Sequence, residues 1–259
     1  LDKYAEEYKA MFERQAPQAD QPKTMLPTDP KNIWMEGIGL IGLGANAKAA
    51  SIAGDLVVQN ARVRAIGEDA GGFRPISEKD LFDCEYWSLE QAKLGKGAPP
   101  KFQGKIVMIT GGSGTIGFAI AKAFSKLGAQ TILVDKDEIA LKESVAKLGV
   151  GHKYFPIDVT HSDAANQAML AAINNFGGLD ILISNAGAAH AGPMLDISNE
   201  ELRNAFELNF FSHYSFSTEA AKIVKDQNRG GQILFNISKQ AVNPGKNFGA
   251  YGLPKATTF

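Results

Sequence analysis

The chain has 259 residues, a formal net charge of −1, and 44% hydrophobic and 21% charged residues. These values fit one large α/β domain, or one domain and part of another, and give no electrostatic reason to expect a nucleic acid or a membrane surface as partner. A single cysteine, Cys84, excludes a disulfide framework and favours a reducing, cytoplasmic setting.

The first 30 residues are polar and dotted with proline, so no signal peptide is visible. Tyr4–Gln15 has the spacing of an amphipathic helix, and Pro17–Lys31 holds four prolines and reads as loop. Ile38–Ala47 is the longest apolar stretch and falls well short of the roughly 20 residues that span a bilayer. Ala45–Ala70 is Ala-rich with apolar residues at 3–4 spacing, and Ser77–Leu94 predicts a helix or helix pair. Leu94-Gly-Lys-Gly-Ala-Pro-Pro100 reads as a Gly/Pro linker. The expected organisation is a segment over 1–94, a linker over 95–101 and a domain over 102–259.

Beyond the linker, short apolar runs alternate with helical patterns. Strands are predicted at Ile106–Thr110, Thr131–Asp135, Lys153–Val159, Ile181–Ser184 and Gln232–Ile237. Helices are predicted at Gly114–Leu127, Glu138–Leu148 and Ser162–Asn175, and from a Ser198/Glu201 capping box to about Lys225. Pro156 suits an edge position. Alternation of this kind predicts a Rossmann-type, doubly wound parallel sheet of five strands, covered on both faces. The chain starts at Leu1 and stops at Phe259, inside a predicted helix, so truncation at both ends is expected.

Thr110-Gly111-Gly112-Ser113-Gly114-Thr115-Ile116-Gly117 contains G-x-G-x-x-G between a predicted strand and a predicted helix, the context that gives this motif weight. Glycines let the backbone turn tightly against a pyrophosphate, and the helix start offers free N–H groups to it. Asp135 ends the next strand, where a carboxylate can bind ribose hydroxyls and repel a 2′-phosphate. That favours NAD over NADP, although Lys136 is adjacent. Gly37-Ile-Gly39-Leu-Ile-Gly42 also fits the pattern, but no buried strand precedes it and no acidic strand end follows; it reads as a structural turn or strand.

Downstream lie Asp158-Val159, Ser184-Asn185-Ala186-Gly187, Asn209, Ser238 and Tyr251-Gly-Leu-Pro-Lys255. Taken in this order with the glycine turn, they make Phe102–Phe259 resemble the short-chain dehydrogenase/reductase family. The resemblance implies a nicotinamide cofactor held by Gly111, Ser113, Gly114, Thr115, Ile116, Gly117, Asp135, Asp158, Val159, Asn185, Ala186 and Gly187, with Tyr251 and Lys255 also against it. It implies Tyr251 as general acid/base and Lys255 as the cation that favours its phenolate. Ser238 would hold the substrate oxygen, and Asn209 would position a water linking Lys255 to solvent. A second serine often found in the family is here Lys239, so Ser238 serves only if its loop absorbs the offset. Thr115 also replaces a glycine of the commonest pattern. The family's two further strands after the Tyr-bearing helix are missing, so an uncovered sheet edge is expected. A homo-oligomer is implied as well.

The first segment resembles the class II aldolase-like domain of bifunctional rhamnulose-phosphate aldolase/alcohol dehydrogenases, on Gly37–Gly44 and Glu85–Leu94. Such aldolases hold a metal through histidines, and residues 1–151 contain none. Either the metal half lies upstream or there is no aldolase activity; no metal site is expected here. The expected activity is hydride exchange with a sugar, polyol or hydroxyaldehyde. The alternative is a non-catalytic NAD(H)-binding sensor or scaffold.

Overall fold

The computed structural model describes residues 1–91 and 98–259. The chain divides into two compact units, Leu1–Pro99 and Pro100–Phe259. Most of the predicted Gly/Pro linker, and the end of the Glu85–Leu94 stretch, lie outside the described residues.

The first unit opens with α1 (Asp2–Gln15), followed by a loop and a hairpin of β1 (Asn32–Met35) and β2 (Gly39–Gly42). Next come α2 (Ala47–Asp69), capped by the Asn46 side chain, then α3 (Glu78–Glu85) and the single turn α4 (Ser88–Gln91). Helices α1 and α3 bury Met11, Phe82 and Tyr86 between them, and Phe82 stacks on Tyr86 with ring centroids 4.6 Å apart. Arg14 closes this cluster with a fork onto Glu78 at 2.7 and 3.2 Å. The second G-x-G-x-x-G stretch is the hairpin itself. Gly37 and Gly39 supply the positive φ of the turn, and Gly42 packs so closely on α2 that a side chain would overlap the Ala50 carbonyl.

The second unit alternates strictly. It runs β3 (Ile106–Thr110), α5 (Thr115–Lys126), β4 (Gln130–Asp135), α6 (Glu138–Leu148), β5 (Lys153–Pro156), α7 (Ala164–Phe176) and β6 (Ile181–Ser184). After these come α8 (Asn199–Phe206), a π turn (Glu207–Phe211), α9 (Ser212–Gln227), β7 (Gln232–Phe235) and α10 (Gly249–Thr258). The sheet is fully parallel in the order β5-β4-β3-β6-β7. Its direction of winding reverses between β3 and β6, the position where sheets of this kind bind ligands beyond their carboxyl ends.

Successive strand residues feed opposite layers. Met108, Ile132, Val134 and Leu182 face a layer of Ala164, Ala168, Met169 and Ala172 from α7 and Phe216 and Ala220 from α9. Val107, Ile109, Leu133, Ile181 and Ile183 face Ala121 from α5 and Leu141 from α6. Alanines on α7 bring that helix close to the sheet.

Several boundaries differ from the sequence reading. Strand β5 ends at Pro156 rather than Val159: its partner β4 ends at Asp135, whose carbonyl takes a last bond from the Ile157 amide at 2.8 Å. Strand β7 ends at Phe235, so Ser238 is not a strand-end residue; it caps a 3₁₀ turn over Lys239–Ala241. Helix α10 already starts at Gly249, which puts Pro254 inside it. The helix after Ser198 keeps its capping box but is interrupted by the π turn around Asn209. On the β7 edge Leu234 and Phe235 are exposed, as expected of an uncovered edge strand.

Candidate active site

Three loop ends meet above the carboxyl ends of β3, β6 and β7. Thr110, the last residue of β3, accepts at Oγ1 from the Asn185 and Ala186 amides at 2.9 and 3.0 Å. Asn185 Nδ2 donates to the Thr110 and Gly111 carbonyls at 2.9 and 3.3 Å, and Asn236 Nδ2 donates to Asn185 Oδ1 at 2.8 Å. The Asn185 amide therefore laces the glycine turn to the loops after β6 and β7. Gly111 has φ +63°, a conformation that a side chain would strain.

The rest of the turn divides by what each glycine meets. A Cβ on Gly117 would overlap the Gly111 carbonyl, and one on Gly112 would lie 2.8 Å from Leu133 Cβ. Both glycines exist to let α5 and β4 pack against the turn. A Cβ on Gly114 would meet only Gly111 O, at an ordinary 3.4 Å, so the absence of a side chain there serves nothing within the protein. Gly114 caps α5 and borders the cleft.

That cleft encloses about 990 Å³. One end is walled by Gly111, Gly114–Gly117, Asp135, Lys136, Asp158 and Val159, the other by His190, Asn204, Glu207, Ser238, Tyr251 and Lys255. Asn185, Ala186 and Gly187 lie along it as well. Two of the residues singled out from sequence are not on its wall. Ser113 turns away to bond Asp135, with its hydroxyl at 2.6 Å and its amide at 3.2 Å from Oδ2. Asn209 sits behind Gly187, fully buried.

At the acidic end, Asp135 Oδ1 also accepts from the Lys136 amide at 2.8 Å, which fixes the carboxylate at the cleft rim. Asp158 accepts from the Thr160 amide and hydroxyl at 3.0 and 2.7 Å. Burial pushes the Asp158 carboxyl up, but those two bonds outweigh it and hold the carboxyl below its ordinary value.

At the other end, Tyr251 and Lys255 share one face of α10, with Nζ 5.9 Å from the tyrosine ring centroid. Lys255 is buried, and burial brings its ammonium down to about 8. Its Nζ reaches His213 Nε2 at 3.1 Å and the Asn236 carbonyl at 3.3 Å. Asn209 Nδ2 donates to the Ala205 and Ala188 carbonyls, both at 3.1 Å, while its Oδ1 is buried without a partner. A Cβ on Gly187 would lie 2.8 Å from Asn209 Oδ1 and 3.2 Å from Lys255 Nζ, so a side chain there would press on both groups. Ser238 Oγ accepts from the Gln240 amide at 3.3 Å and keeps its place on the cleft wall opposite α10.

Sequence reasoning passed over His213, Ser184 and Asn236. His213 follows Asn209 by one turn, and that spacing on a shared helix face was the available signal. For Asn236 and Ser184, whose partners are 51 and 29 residues away in sequence, no local signal exists.

Residues 105–258 match the short chain dehydrogenase family. The chain belongs to that family. Residues 1–94 match the second domain of class II aldolases, as the sequence of the first segment suggested. A relative spanning both halves is the uncharacterized oxidoreductase YuxG of Bacillus subtilis, 31% identical over 99% of this chain and 38% of its own length. Galactitol 2-dehydrogenase of Agrobacterium fabrum is 30% identical over 56% of this chain and 57% of its own. The crystal structure of NAD+-bound xylitol dehydrogenase superposes with a TM-score of 0.58 at 28% identity, covering 60% of this chain and 61% of that one. The chain thus spans less than two thirds of the length of each of these relatives.

The short chain dehydrogenase unit fits a dinucleotide on its own geometry. The bare Gly114 at a helix start, the fixed carboxylate of Asp135 and the Tyr251–Lys255 pair are all arranged about one cleft. Among the described residues, no cluster of three or more His, Cys, Asp or Glu side chains is arranged to hold a metal ion, and no helix is long and apolar enough to cross a membrane.

Proposed function

We propose that residues 100–259 transfer hydride between a nicotinamide dinucleotide and a small hydroxylated substrate, with Tyr251 as the general acid/base. The observation that carries this reading is the cleft with the Gly111–Gly117 turn at one end and the Tyr251–Lys255 pair at the other. When bound, the nicotinamide supplies the hydride acceptor or donor. Tyr251 takes the substrate hydroxyl proton at its phenolic oxygen during oxidation and returns it during reduction. Lys255, four residues along the same helix, favours the phenolate that does so. Ser238 orients the substrate oxygen toward Tyr251. Asn209 holds the region behind Gly187 in register with Lys255.

The substrate class follows from the polar end of the cleft, where His190, Asn204, Glu207 and Ser238 offer both donors and acceptors to several hydroxyls. A sugar, polyol or hydroxyaldehyde suits such a wall, and the galactitol and xylitol dehydrogenases among the relatives support this. The proposed setting is cytoplasmic, in keeping with the exposed free thiol of Cys84, and the proposed assembly is a homo-oligomer.

The preferred cofactor is NAD. Asp135 is fixed on the cleft rim by three hydrogen bonds, where it would repel a 2′-phosphate, and Lys136 is the cation beside it on that wall. In Asp135→Ala, the ratio of NADH to NADPH affinity should fall by about tenfold or more, close to 1.4 kcal/mol of discrimination. Parallel calorimetric titrations would measure it; an unchanged ratio would remove Asp135 from cofactor selection.

The activity itself is tested by following NAD+ reduction with a panel of polyols and hydroxyaldehydes. Turnover with at least one is expected. Tight NADH binding without turnover on any of them would favour the sensor or scaffold reading.

A further inference from the structure

Lys255 is buried against the core of the sheet with no carboxylate in reach. Among the described residues its ammonium makes no ion pair. What faces it is a histidine. His213 enters α9 two residues past the π turn, and its Nε2 lies 3.1 Å from Lys255 Nζ. Its other ring nitrogen, Nδ1, lies 2.6 Å from Ser184 Oγ at the end of β6. His213 and Ser184 are each 1% exposed.

We propose that His213 is a positioning residue for the Tyr251–Lys255 pair, holding the Lys255 ammonium in place as its hydrogen-bond acceptor, with Ser184 fixing the tautomer that allows it. This rests on the reading of Tyr251 and Lys255 as the proton-handling pair.

An ammonium only donates, so the nitrogen facing it must be the one without hydrogen. His213 then carries its proton on Nδ1 and donates it to Ser184 Oγ. A protonated His213 would present N–H to the ammonium and break the contact. Burial first, and the Lys255 charge second, bring His213 down to about 4, so the neutral ring persists across the working range. The Ala186 carbonyl works in the opposite direction without overturning this.

The chain of contacts is an anchor and not an exit path for protons. It runs from Lys255 through His213 to Ser184, and Ser184 is enclosed in the sheet between β3 and β7. The other groups facing the pair are Tyr251 from α10, the Asn236 carbonyl beyond β7 and Asn209 from the π turn; none is acidic. Besides Tyr251 and Lys255, the titratable groups on the cleft wall are Asp135, Lys136, Asp158, His190 and Glu207. Asn209 lies within the π turn, and His213 follows it by four residues in the first turn of α9.

Removing an acceptor from a charged donor disfavours the charged form, so Lys255 should lose its proton at lower pH. In His213→Leu the alkaline limb of the pH–activity curve should move down by about one unit or more. The same variant should lose about tenfold in kcat, as a displaced proton-handling group does, with the KM for cofactor within about threefold of wild type. His213→Gln offers an amide oxygen in place of Nε2 and should recover most of both. A limb that stays in place in His213→Leu, or equal damage in both variants without a shift, would reduce His213 to a packing role and overturn the proposal.

A second measurement needs no variant to fold. In wild-type protein with 15N-labelled histidine, His213 should appear as the Nδ1–H tautomer; the Nε2–H tautomer would overturn the proposal. Tyr251→Phe separates the two failures. Full activity there would remove the functional reading, whereas an inactive Tyr251→Phe beside a wild-type-like His213→Leu would sink only this inference.

Discussion

Tyr251→Phe should bind NADH as tightly as wild type and lose turnover by about 10²- to 10⁴-fold, the range that a positioned acid/base contributes. The substitution removes one oxygen and keeps the ring. Tyr251 is half-buried on α10, whose buried side chains are Ala250, Pro254 and Lys255, so the packing of the helix survives. Lys255 keeps its contacts to His213 and Asn236, neither of which involves the tyrosine hydroxyl. The loss should therefore fall on kcat, with the cofactor dissociation constant within about twofold. Steady-state kinetics beside a calorimetric titration would measure both. Substantial turnover in the variant would mean that the proton is handled elsewhere in the cleft.

Gly114→Val should have the second largest effect, of a different kind. The variant should fold and melt as wild type does, yet bind NADH at least about 100-fold more weakly, a loss of roughly 2.7 kcal/mol. The contrast with Gly117 explains why. A side chain at 117 collides with the Gly111 carbonyl and disturbs the protein, whereas at 114 it has only an ordinary contact with that carbonyl and projects into the cleft. A phosphate resting on the α5 start needs the space that the valine fills. Retained affinity in Gly114→Val would place the dinucleotide somewhere other than this turn.

Much of this site was legible in the sequence because its parts announce themselves locally. Strands β3 and β6 are short apolar runs, buried on both faces, and their predicted and observed limits coincide. The turn from Gly111 to Gly117 reads from glycine spacing between an apolar run and a helical pattern, although Gly111 and Gly112 pack on the distant Ala186 and Leu133. Tyr251 and Lys255 share a helix face by their spacing of four. The hairpin glycines Gly37, Gly39 and Gly42 were separable from a nucleotide loop because no buried strand led into them.

What was missed depends on contacts between distant segments. The π turn at Asn209 is not visible in a sequence that also satisfies an ordinary helix. Its presence follows from Asn209 being held by the Ala188 carbonyl and by Thr258, whose hydroxyl donates to the Asn209 carbonyl at 2.8 Å. Strand β5 was overextended because Ile157 and Val159 are apolar and continue the run, although pairing stops at Pro156. Ser238 was placed at a strand end because Phe235, Asn236 and Ile237 continue the β7 pattern; the backbone instead leaves the sheet once Ser184, the last residue of β6, is paired. The contact of His213 with Lys255 joins residues 42 apart, which no local pattern reveals.

The account stands on the glycine turn being a working dinucleotide site within a folded short chain dehydrogenase unit. Calorimetric titration of the wild-type protein with NADH and then NADPH, each followed by thermal melting, tests this most directly. Saturable binding, a melting temperature that rises with ligand and a preference for NADH are the predicted results. A protein that melts cooperatively and binds neither nucleotide would contradict the assignment of the cleft.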